Sequence, residues 1–286
     1  MKNIIKSLGI LLLLSILAAC GKNGSANDDV VIIGVTGADG EQWDVLKVLA
    51  REEGITIELK EFADYTLPNN ALANGDIDLN SFQHIAFLSQ FAKENNVDIV
   101  PIGSTVIAPL GIYSDKLDDI SGLKEGDKIA VPDDPSNLGR ALRLLETAGL
   151  IKLKEGTGLF GDTTSIEENP KNLEIIPMVA QQTPRVLQDV AASLINNGIA
   201  GQAGFNPLED PIFLEDGDSE SALPYVNVFA ARAEDAQNET YLKIIELYQS
   251  EQVKKAIEEE TKGGSILLNI PQDQLLDTFE QLKGEE

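Results

Sequence analysis

His84 is the only histidine of this 286-residue chain and Cys20 its only cysteine, which limits the chemistry open to it. A Ser-His-Asp hydrolase would have to use His84, yet no Gly-x-Ser-x-Gly turn presents a nucleophile, and Gly103-Ser104-Thr105 does not supply one. Zinc needs a set of His and Cys ligands that the chain lacks. Residues 76–80 (DIDLN) alternate oxygen ligands but lack the glycine and distal glutamate of a calcium loop, and read as a strand with outward acids. Asp133 and Asp134 are adjacent carboxylates of the type a glycosidase uses, but among 47 acidic residues adjacency alone assigns nothing. No enzyme and no cofactor are expected.

Other segments read better as recognition. Residues 37–40 (GADG) follow a strand and precede a helix, so their backbone N–H groups are free to face a ligand; without Gly-Lys-Ser/Thr this is no P-loop, and a cleft-lining loop is expected. Three further stretches carry polar and aromatic side chains in a pattern that core packing does not require. They are DYTLPN at 64–69 with GDIDLNSFQH at 75–84, VPDDPSNLGR at 131–140, and LINN at 194–197 with PYVN at 224–227.

The elements that must position them alternate. Residues 30–36 form a β-branched run suited to a buried strand, 41–53 place Val45, Val48 and Leu49 on one helical face, and 55–59 alternate as a strand. A short helix at 69–74, a strand at 77–80, a helix at 83–95 and a strand at 97–105 complete a β-α-β-α-β unit. Residues 107–113 are extended but contain Pro109 and Gly111, which suit a crossover between lobes better than a central strand. A second unit follows: strand 128–132, helix 137–148, strand 173–177, helix 183–189 and strand 192–195. Strand 225–231 and helices at 239–249, 253–260 and 272–282 close the chain. Two mostly parallel sheets flanked by helices and joined by crossover strands predict a two-lobed α/β fold with a cleft beyond the strands' carboxyl ends.

The amino terminus adds an address. Lys2 and Lys6 precede a ten-residue apolar run at 8–17, then Leu17-Ala18-Ala19-Cys20. Ten residues rise only about 15 Å as a helix, half of the ~30 Å bilayer core, so the run reads as an export signal rather than a span. Small residues directly before the cysteine resemble a bacterial lipobox, which implies acylation of Cys20 and a lipid anchor on the extracytoplasmic face of the cell membrane. Polar residues 21–29 read as a tether. The formal charge of −25 becomes −27 once Lys2 and Lys6 leave with the signal, a surface that repels nucleic acid.

In order and wording the three recognition stretches resemble the methionine-binding lipoproteins of the MetQ/NlpA family, the substrate-binding components of ABC importers. The likeness runs from about Val31 to the last helix; the FQH and VPxDPxNxGRAL stretches carry its specificity, although the family commonly has Asn where Asp133 stands. It implies a periplasmic-binding-protein-like fold in which Arg140 grips a ligand carboxylate with its planar fork. Asn196 and Asn227 would serve the ligand's ammonium and carboxylate with their two-sided amides. Tyr65, Phe82 and Phe87 would wall the side-chain pocket, His84 would bond the ligand or fix a neighbour, and Asn137 would support the Arg140 loop. From the residues alone, Arg140 could equally pair with Glu146 or another acid, and the asparagines could be turn residues.

The expected organisation is a signal peptide at 1–19, lipidated cysteine and tether at 20–29, one lobe from 30–110 with 224–286, and a second from 111–223. The expected ligand is methionine, in the L form, delivered to a membrane permease and its ATPase. A methionine-containing dipeptide, another apolar amino acid, or a surface interaction protein without a small ligand are the alternatives.

Overall fold

The computed structural model describes residues 29–216 and 220–284; the expected signal peptide, Cys20 and nearly all of the tether lie outside them. Its first half holds β1 (Asp29–Val35), α1 (Glu41–Glu52), β2 (Ile55–Glu61), α2 (Leu67–Ala73), β3 (Leu79–His84), α3 (Ile85–Asn95) and β4 (Ile99–Ser104). Then come β5 (Val106–Ile107), β6 (Gly111–Tyr113), β7 (Lys128–Pro132), α4 (Pro135–Thr147), β8 (Lys152–Leu153), β9 (Ile166–Glu168), β10 (Glu174–Met178), β11 (Ala192–Ile195), α5 (Asn197–Gln202) and β12 (Phe213–Leu214). Strand β13 (Asn227–Arg232), helices α6 (Glu239–Tyr248) and α7 (Glu251–Thr261), β14 (Ile266–Leu267) and α8 (Gln272–Gly284) end it.

Two five-stranded sheets result, ordered β2-β1-β3-β13-β4 and β10-β7-β11-β6-β12. In each, four strands point one way and one runs against them: β13 in the first sheet and β6 in the second. Each reversed strand is the one that a crossing segment delivers, so the local β-α-β order is parallel and the return is not. The fold is the two-lobed, periplasmic-binding-protein-like α/β arrangement.

Both faces of the first sheet are covered, and β13 shows how. Phe229 and Ala231 point to a core built with Trp43, Leu46, Tyr241 and Ile244, from α1 and α6. Val228 and Ala230 point the other way, to Leu72, Ile85, Leu88, Leu275 and Phe279 from α2, α3 and α8. All four are fully or almost fully buried, as a strand covered on both sides must be. The second sheet packs α4 on one side through Leu138, Ala141, Leu142 and Leu145. Its other side has a smaller cluster of Tyr113, Leu187, Ile195 and Ile199.

Several expected elements shift, three of them next to the cleft or the crossover. The strand expected at 77–80 is β3 at Leu79–His84, because pairing with β13 (Asn227↔His84, Val228↔Gln83) extends it four residues further, and α3 begins only at Ile85. The helix expected at 183–189 is a 3₁₀ segment, Ala180–Val186, with Pro184 inside it, where proline removes the donor an α-helix needs. The strand expected from Tyr225 begins at Asn227, since Pro224 and Tyr225 belong to a 3₁₀ turn. Residues 107–113 divide into β5, paired with β14, and β6, which joins the second sheet; the crossover runs between them.

Candidate ligand-binding site

A cavity of about 1150 Å³ opens between the two sheets. Tyr65, Phe82, His84 and Asn227 reach it from the first sheet's side, and Asn137, Arg140 and Asn196 from the second's. Residues 36, 37, 39 and 40 also line it, so the GADG loop faces the cleft.

Helix α4 sets the second lobe's contribution. Asp134 caps it, accepting from the Asn137 backbone N–H at 2.9 Å, and Pro135 opens it with a residue that has no N–H to lose. The same carboxylate takes the Asn137 side-chain Nδ2 on both oxygens, at 3.0 and 2.9 Å, and the Ser136 hydroxyl at 2.9 Å. Burial raises the Asp134 pKa, with these hydrogen bonds pulling against it. With Nδ2 held by Asp134, Oδ1 of Asn137 is turned outward and accepts from Asn196 Nδ2 at 2.7 Å.

His84 reaches that same oxygen from the opposite lobe, its Nε2 lying 3.3 Å away. Its tautomer follows from its other nitrogen: Nδ1 caps α3 by accepting the Phe87 N–H at 3.1 Å, so Nε2 carries the proton and donates. Burial, and then the nearby Arg140 cation, hold the His84 pKa down to about 3. The imidazole is neutral at any physiological pH.

Arg140 is buried at 5% exposure and is braced on one edge. Nε donates to Glu215 Oε1 at 3.0 Å and to Oε2 at 3.1 Å, while Nη2 bonds Glu215 Oε2 and the Ala108 carbonyl at 2.9 Å. The guanidinium lies 4.4 Å over the Tyr225 ring, a cation–π contact. Nη1 is the guanidinium nitrogen with no hydrogen bond among the described residues. Nearby, Oδ1 of Asn196 is a buried acceptor without a hydrogen-bond partner. Asn227 commits its Nδ2 to the Val106 carbonyl at 3.2 Å.

The apolar wall is three rings. Tyr65 and Phe82 have centroids 5.8 Å apart, and both meet Phe87 edge-on, at 6.0 and 5.8 Å. Tyr65 also packs on the second lobe's Tyr113–Ile199 cluster, so one side chain touches both lobes. Among the described residues no group of His, Cys, Asp and Glu converges to hold a metal, and no helix is long and apolar enough to cross a membrane.

The model of the family described as NlpA lipoprotein matches residues 31–268, most of the chain. The chain belongs to the NlpA lipoprotein family. A D-methionine-binding lipoprotein, MetQ, of Salmonella typhimurium is 41% identical over 253 residues, covering 87% of this chain and 92% of the relative. Protein PG110 from Staphylococcus aureus superposes with a TM-score of 0.86 at 47% identity, over 89% of this chain and all of that one. A nutrient-binding protein from Burkholderia cenocepacia, solved bound to methionine, gives 0.79 at 43% identity over 84% and 99%.

Sequence reasoning missed several parts of this NlpA cleft. Glu215, not Glu146, pairs with Arg140; Glu146 instead accepts the Leu153 N–H at 2.7 Å. Helix α5 bridges to the first lobe through Gln202 Nε2 to the Thr36 carbonyl at 2.6 Å and Asn197 Nδ2 to the Gly264 carbonyl at 3.0 Å. No local pattern marks Glu215 or Gln202, and the partners of Glu215, Gln202 and Asn197 all lie more than sixty residues away in sequence.

Proposed function

We propose that this NlpA lipoprotein captures methionine in the inter-lobe cleft and delivers it to an ABC importer. The observation that carries the reading is a single cavity holding a braced arginine, an unpartnered buried amide oxygen and a three-ring apolar wall. An α-amino acid supplies the complement of each: its carboxylate for Arg140 Nη1, its ammonium for Asn196 Oδ1, and its side chain for Tyr65, Phe82 and Phe87. A thioether gains about 0.3–1.5 kcal/mol per aromatic contact, which favours methionine over an aliphatic chain of the same length.

Because the ligand touches both lobes, it binds the closed arrangement better than an open one and shifts the population toward it. No bond need be made or broken. The likeness to the D-methionine-binding relative and to the methionine-bound structure supports this ligand. Acylation of Cys20 would hold the protein at the outer face of the membrane, beside the permease and its ATPase.

Isothermal calorimetry with both enantiomers of methionine tests the assignment. Saturable binding by the wild type, lost in Arg140→Ala, supports it. A wild type that takes up neither enantiomer refutes it.

A further inference from the structure

Glu215 lies in no recognition motif, yet it makes the most extensive contact with Arg140. Its carboxylate covers the Nε–Nη2 edge of the guanidinium, and its Oε2 also accepts the Leu110 N–H at 3.0 Å. Its own backbone N–H donates to the Leu110 carbonyl at 3.0 Å. Arg140 adds a bond to the Ala108 carbonyl. Ala108 and Leu110 belong to the crossover between β5, which pairs with β14, and β6 in the second sheet. The arginine is therefore clamped to the segment that joins the lobes.

The clamp also changes the charge that a ligand meets. Arg140 and Glu215 are 6% and 21% exposed at their side chains, so their charges are poorly screened and largely cancel at a distance. His84 adds no charge. A ligand carboxylate at Nη1 finds a directed donor but little net positive potential. A ligand bearing its own ammonium stays neutral and satisfies the buried Asn196 Oδ1 as well.

We propose that Glu215 is the positioning residue of Arg140, and that the neutral pair it forms makes the cleft select zwitterionic amino acids over carboxylates lacking an ammonium. This rests on the reading that the cleft takes an amino acid through Arg140.

The test compares methionine with its hydroxy acid analogue, which has a hydroxyl in place of the ammonium, by calorimetry. The proteins are the wild type, Glu215→Gln and Glu215→Asp. The wild type is expected to prefer methionine strongly. Glu215→Gln keeps the shape and one acceptor but removes the charge, and its preference should fall by about fivefold or more as the anion gains on the zwitterion. Glu215→Asp, which restores the charge, should recover most of the wild-type ratio. A merely structural role would weaken both ligands together and leave the ratio unchanged. An unchanged ratio in Glu215→Gln overturns the inference, as does a Glu215→Asp protein that behaves like it, while wild-type binding of methionine keeps the cleft assignment standing. A wild type that takes neither compound overturns the assignment and the inference with it.

Discussion

His84 Nε2 lies 3.3 Å from Asn137 Oδ1 and links the two lobes across the cleft, while its Nδ1 caps helix α3. Both nitrogens are committed, and burial, followed by the nearby Arg140 cation, keeps the ring neutral.

This makes the fold sensitive to mild acid. The folded pKa is depressed to about 3, below the unfolded value of roughly 6.5, so the unfolded chain takes up the proton first as pH falls. The His84 contribution is present above that unfolded value and is lost progressively from pH 6.5 toward 3. Between pH 7.5 and 5.5 it amounts to about 1 kcal/mol. Urea unfolding at these two values should show that loss in the wild type and a flatter dependence in His84→Gln, since most carboxylates titrate lower. Equal slopes in the two proteins would contradict the assignment.

Removing Arg140 leaves Glu215 without its partner. Arg140→Ala should lower stability by about 2 kcal/mol, less than the ~3–5 kcal/mol of a fully buried pair, because Glu215 retains part of its hydration. Methionine affinity should fall roughly thirtyfold or more. A cooperative melt with no measurable binding is the expected result, and retained affinity would remove Arg140 from the site.

Gly139 has no room for a side chain. A Cβ there would sit 1.9 Å from the Leu159 carbonyl oxygen, backbone that cannot yield as a flexible side chain would. Leu159 and Phe160 pack on the first lobe's core, so Gly139→Ala displaces a strap that contacts both lobes. A loss of about 2 kcal/mol is expected, with faster chymotrypsin cleavage after Leu159 and Phe160. A wild-type cleavage pattern would show that the approach is not needed.

Phe82 should matter for sulfur more than for volume. Phe82→Leu keeps an apolar wall but removes one ring from the Tyr65–Phe82–Phe87 cluster. The preference for methionine over norleucine should shrink by about 0.5–1 kcal/mol, read from competitive titrations. An unchanged preference would mean that shape alone selects the ligand.

The parts legible in the sequence were those whose signals are local. Strands β7 and β11 lie at the expected residues: β7 is a short apolar run between Asp127 and Asp133, and β11 stops at the polar pair Asn196-Asn197. The Asp134–Pro135 start of α4 is a capping pattern, although the helix begins two residues before the expected Asn137. The β3–α3 boundary was not legible: Phe82-Gln83-His84 has no alternation, and its strand character comes from pairing with β13, more than 140 residues away. Gln83 illustrates the same limit, being buried by a side-chain network with Asn69 and Asn80 rather than by hydrophobicity. Glu215 was hidden among the chain's 47 acids, since only the folded crossover brings it to Arg140. The motif residues were visible as a set, but the geometry that turns Asn137 Oδ1 toward both His84 and Asn196 was not.

The most direct measurement is native mass spectrometry of residues 21–286 purified from cells before any dialysis, with release and identification of whatever is bound. The account predicts a complex heavier than the chain by one methionine, exchangeable for added labelled methionine. A bound species of another mass, or a protein that stays unliganded in excess methionine, would contradict it.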